Sequence, residues 1–146
     1  MSSVNKAPKT LKSIKAIVEK IRSGVLDADE IIDVTRNLIA EYDGDIKAWK
    51  TLDWYQVKKQ YKELLSRPNW RSLPLAAVPI AVKDVYDTSN FVTSYGSKIY
   101  DQHRPSADAD LVKMLRSLGA IVIGKTVTTE FAYWQAGPTV NPYDHN

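Results

Sequence analysis

Leu11, Ile14, Ile17, Val18 and Ile21 recur three and four residues apart, which puts them on one stripe of a helix over residues 11–23, with Gly24 placed to cap its end. Asp27 and Glu30 then form an acidic variant of a capping box, and Leu26 and Ile31 have the spacing of a hydrophobic staple. A second helix follows, its inner face carrying Ile31, Val34, Leu38, Ile39 and Tyr42, with Gly44 beyond its end. A short apolar link containing Trp49 and Leu52 leads to Asp53, the N-cap of a third helix. There Trp54, Val57, Tyr61, Leu64 and Leu65 repeat at helical intervals, and the helix stops before Pro68. At these spacings Trp49 and Trp54 read as packing residues rather than as a ligand platform.

The pattern changes after a polar surface loop over residues 66–74. Residues 78–82 form a short apolar run of strand character. Asp108 caps a helix carrying Leu111, Val112, Leu115 and Leu118, and Gly119 ends it before the apolar strand 120–123. Strand, helix, strand is a βαβ unit with parallel strands and a right-handed crossover. Lys83 and Lys125 then lie just beyond the carboxyl ends of the two strands, at the edge where open α/β sheets place their ligands. Three segments result: a disordered N-terminus at 1–9, a helical arm at 10–70 and an α/β segment at 74–146.

Composition narrows the function classes. A hydrophobic content of 44% over 146 residues suffices for a core, so disorder is excluded as the global state. A net charge of +3, concentrated on the polar faces of the first helices, is too mild to call for nucleic acid or an anionic membrane as partner. With no cysteine there is no thiolate zinc site and no thiol nucleophile, which suits a cytoplasmic protein. No apolar run approaches the ~18 residues that span a bilayer, and the N-terminus lacks an apolar signal region.

Lys83 is the first candidate for chemistry. Burial lowers the pKa of an amine, and a lysine where a buried strand surfaces is suited to act as a base. On position alone a lysine at a strand end is usually a solvated charge or the partner of a carboxylate such as Asp84. Gly124-Lys125-Thr126 lacks the preceding glycine of a phosphate-binding loop, so Gly124 and Lys125 read as shaping the turn after a strand. His103 and His145 have no zinc-ligand spacing and read as surface residues. Neither a G-x-S-x-G elbow nor a dinucleotide glycine fingerprint occurs, and no metal or cofactor is called for.

Seven fragments stand in a telling order: Pro79-Ile80-Ala81-Val82-Lys83-Asp84, Thr93-Ser94-Tyr95-Gly96-Ser97, Ala107-Asp108-Ala109, Leu115 to Ala120, Gly124-Lys125-Thr126, Glu130-Phe131-Ala132 and Asn141-Pro142. Together, over residues 74–146, they resemble the opening of the amidase signature family. The resemblance implies the first part of an α/β/α sandwich around a mostly parallel mixed sheet. It also implies hydrolysis of carboxylic amides, with a small-molecule amide as substrate, by a serine, cis-serine, lysine triad in which Lys83 is the terminal base. Ala77 departs from the glycine usual before the strand. Asp84 is expected to orient Lys83 or cap a loop, Gly96 to serve backbone geometry, Glu130 and Phe131 to start a short helix, and Asn141-Pro142 to form a turn.

The glycine- and serine-rich segment that supplies the other two triad members would follow Asn141-Pro142, and the sequence ends at Asn146. The expectation is therefore the N-terminal part of an amidase, inactive as this isolated chain. Two alternatives stand beside it: a non-catalytic binding or regulatory fragment, and the A subunit type of a tRNA-dependent glutamine amidotransferase. Homo-oligomer formation is left open, since an uncovered sheet edge favours association.

Overall fold

In the computed structural model, which describes residues 13–144, the elements follow in the order α1 (Ile14–Arg22), α2 (Ala28–Ile46), β1 (Trp49–Leu52), α3 (Trp54–Leu65), β2 (Pro79–Lys83), α4 (Asp110–Ser117) and β3 (Ile121–Thr126). Leu11, His145 and the stretch 1–9 lie outside the described residues. Helices α1 and α3 form where the apolar stripes predict. Ile17, Val18 and Ile21 are buried on α1, and Gly24, with φ of 73°, turns the chain out of it. Helix α3 starts at Asp53, whose Oδ1 accepts the N–H groups of Tyr55 and Gln56 at 3.1 Å each.

Boundaries differ from the sequence pattern where a carboxylate finds another partner. Asp27 occupies the N-cap of α2, but its side chain makes no capping bond and lies 3.6 Å from Arg71 Nη2 instead. Gly44 does not lie beyond α2 but inside it. The helix ends two residues later because Asp43 Oδ1 accepts the N–H groups of Ala48 and Trp49, and Lys47 takes the left-handed conformation at φ 56°. Asp108 does not cap α4. Ala109 holds that position, while Asp108 accepts the N–H and Oγ–H of Ser89 and pairs with Arg116 Nε at 2.8 Å.

The link at 49–52 is a strand. The described sheet has the order β1-β3-β2, with β2 parallel and β1 antiparallel to β3. Gly124 permits that approach: a Cβ there would sit 2.2 Å from the Thr51 carbonyl oxygen. Beyond the reach of β1, Gln60 completes the edge of β3, its amide donating to Val122 O at 3.0 Å and accepting from Val122 N at 3.1 Å. Pairing on both sides extends β3 to Thr126, further than the apolar run indicates. Lys83 and Lys125 are consequently strand residues, not residues of the turns that follow.

Successive β3 residues alternate between two cores, as the pleat requires. Ile121 and Ile123 join Ile17, Ile21, Ile31, Val57, Leu64 and Val78, so the helical segment and the strands share one cluster. Val122 joins Val82, Phe91 and Val112. The sheet thus lies between α1–α3 and α4, an α/β layering as expected.

Candidate functional site

The carboxyl ends of β2 and β3 lie side by side, with Lys83 opposite Thr126 and Val82 opposite Lys125. Alternation along β2 turns Val82 into the core and leaves Ala81 and Lys83 exposed. Lys83 lies on open surface, so the desolvation expected of a lysine at a strand end does not reach it; the lysine removed from water is its neighbour Lys125.

Lys125 is fully buried. Its Nζ donates to Tyr86 O and Thr93 Oγ1, each at 2.7 Å, and lies 3.2 Å from Asp84 Oδ1. Asp84, itself 1% exposed, turns its other oxygen to Ser94, accepting from the backbone N–H at 3.1 Å and from Oγ–H at 2.6 Å. Burial pushes the Lys125 pKa below the ordinary lysine value, while Asp84, then Asp87 and Asp108, oppose that shift. A bulge brings this about. Between Ile80 and Ala81 the partner on β3 advances from Val122 to Gly124, so one extra residue re-aims Lys125 toward the side of Val82 and Asp84.

The segment Thr93-Ser94-Tyr95-Gly96-Ser97 folds tightly against this edge. Tyr95 and Gly96 both have positive φ, 52° and 71°, and a Cβ at Gly96 would lie 2.8 Å from Thr129 O. Phe131 N–H donates to Tyr95 O at 2.7 Å, joining the turn to the single-turn helix Glu130–Ala132, in which Phe131 is itself left-handed at φ 48°. The Tyr95 hydroxyl donates to Asp87. Burial first, and then that bond, push the tyrosine pKa up to about 12. His103 packs against the rings of Tyr95 and Tyr100, with centroids 5.8 and 5.7 Å away.

Beside this turn opens a cavity of about 360 Å³ lined by Gly96, Ser97, Thr128, Glu130, Gln135 and Gly137, among others. The hydroxyls of Ser97 and Thr128 are buried without a hydrogen-bond partner. Ser94 is buried as a donor to Asp84, which gives it a structural role and no access to a substrate. Asn141 Oδ1 accepts from Tyr143 N–H at 3.0 Å, making the expected turn. Sequence reasoning missed the Asp84–Lys125 pair. Its signal was a lysine inside a β-branched run that continues through Thr126 and Val127, with an aspartate directly after the neighbouring strand.

Known proteins share this arrangement of segments. The amidase family model matches residues 30–146. Over 138 residues the chain is 33% identical to the glutamyl-tRNA(Gln) amidotransferase A subunit of Sulfurisphaera tokodaii, covering 90% of this chain and 29% of that protein. Over 77 residues it is 47% identical to the corresponding protein of Salinispora tropica, covering 49% of this chain and 16% of that one. Among solved structures it resembles the peptide amidase of Stenotrophomonas maltophilia, with a TM-score of 0.78 at 28% identity, covering 91% of this chain and 28% of that chain. The chain therefore spans less than a third of the length of these relatives.

Proposed function

Because this chain belongs to the amidase family, we propose that it forms the lysine-bearing part of an enzyme that hydrolyses carboxylic amides of small molecules through an acyl-serine intermediate. The observation that carries the reading is the position of Lys83, exposed at the carboxyl edge of β2 and followed directly by an aspartate anchored on β3. In this mechanism the neutral Lys83 amine takes a proton from a bridging serine, which takes one from the nucleophilic serine. The nucleophile's oxygen bonds the amide carbon, the C–N bond breaks, and the amine departs with the relayed proton. Water then attacks the ester by the same relay and releases the acid. Both serines belong to a motif that these 146 residues do not contain, so the chain alone turns over no amide.

Ammonia release from a panel of primary amides tests this. A complete enzyme containing these residues should lose several orders of magnitude in kcat on Lys83→Ala, and the 146-residue chain should be inert. Turnover by the chain alone, or an unharmed alanine variant, overturns the proposal. The identity with glutamyl-tRNA(Gln) amidotransferase proteins favours a second reading, the A subunit type of such an enzyme. Glutamine as the preferred ammonia donor, with turnover dependent on partner chains, would distinguish it. We propose the cytoplasm as its compartment, with which a chain free of cysteine is compatible.

A further inference from the structure

We infer that Lys125 is a positioning residue for Lys83: its buried ammonium clasps the loop of residues 84–94 onto the end of β3 and so fixes the strand end from which Lys83 projects. The inference rests on the proposed role of Lys83. Three oxygens surround Lys125 Nζ, and they come from both ends of the loop. Asp84 and Tyr86 stand at its start, and Thr93 at its finish. Asp84 doubles the closure by accepting twice from Ser94, and its own N–H donates to Thr126 O at 3.0 Å. The residue directly after Lys83 is thereby held by side chain and backbone together, and the clasp offsets the entropy that an open loop would keep.

Packing alone does not account for a lysine here. Desolvating an ammonium and a carboxylate is costly, and an apolar pair of similar volume is often as stable. What the ion pair adds is one specified geometry, because an ammonium must satisfy three donors at once. The clasp also joins three of the sequence motifs that are weak one by one: Lys83-Asp84, Thr93-Ser94 and Gly124-Lys125 meet at a single nitrogen.

The test reads loop closure and turnover separately. Backbone hydrogen exchange, followed by NMR in this chain, should be at least about ten times faster at Thr93 and Ser94 in Lys125→Met and in Asp84→Asn/Lys125→Met, with α3 unchanged. The double variant leaves no lone buried charge and guards against the single variant failing to fold. Thr93→Val, which removes one acceptor and no charge, should give a smaller acceleration. In a complete enzyme the double variant should lower kcat by about ten- to a hundredfold with KM little changed, as misplacement of a catalytic group does. Parental exchange rates in the folded double variant overturn the inference. So does parental kcat in that variant when Lys83→Ala is inactive. Full turnover by Lys83→Ala would instead overturn the role of Lys83 itself.

Discussion

Replacing Ala77 by glycine should leave the protein's stability nearly unchanged, whereas the same change one residue earlier should weaken it. Both alanines are fully buried, so each substitution removes a methyl group worth about 0.8 kcal/mol. Each also adds unfolded-chain freedom worth roughly 0.5–1 kcal/mol. The two sites differ in backbone conformation. Ala77 has φ of 54° at the third position of the turn closed by the Val78 N–H to Leu75 O bond, and Ala76 has an ordinary negative φ. An L-residue in the left-handed region carries roughly 1–2 kcal/mol of strain that glycine lacks. Ala76→Gly should therefore cost about 1.5 kcal/mol, and Ala77→Gly should fall within about 0.5 kcal/mol of the parent. Urea unfolding followed by tryptophan fluorescence, with m-values compared to confirm an unchanged transition, measures the difference. Equal losses at both sites would refute the strain at Ala77.

Asp53→Ala should cost about 1 kcal/mol, because it frees two N–H groups at the start of α3, while Asp27→Ala, whose side chain caps nothing, should cost less than about 0.5 kcal/mol; equal urea midpoints for the two would contradict this. Gly124→Ala drives a methyl group against the Thr51 carbonyl, so stability should fall by roughly 1–3 kcal/mol and the fluorescence of Trp49 on the displaced β1 should change. The fold holds Tyr95 protonated, with its pKa raised from 10.0 to about 12, so its contribution is complete below pH 10 and is lost as pH climbs toward 12. Tyr95→Phe should flatten the fall in stability across that window, and a slope as steep as the parent's would count against it.

How much of this was legible in the sequence depended on whether one local period decided the outcome. Helices α1 and α3 each bury a single stripe against one core, so three- and four-residue spacing located them. The ordered motifs located the family. Asp27 and Asp108 carried correct capping chemistry, yet Arg71, far along the chain from Asp27, and Arg116 together with Ser89 claimed their carboxylates. Strand β1 offered too little. Its four residues show no alternation of burial, and they become a strand because β3 presents an open edge and a glycine without a side chain to obstruct it.

Lys125 shows why the site was harder to read than the fold. Strict alternation from Ile121 and Ile123 would send residue 125 into the core of α1–α3, where an ammonium has no partner, so a turn beyond the strand was the natural assignment. The bulge breaks that parity. One extra β3 residue opposite the step from Ile80 to Ala81 moves Lys125 to the face of Val82, where Asp84 and Thr93 receive it. A bulge is a property of two strands in register, and its one trace in the sequence is Gly124, a glycine inside the β-branched run. The displacement places Lys125 inside, held by Asp84, while alternation along β2 leaves Lys83, one residue before that aspartate, on the surface.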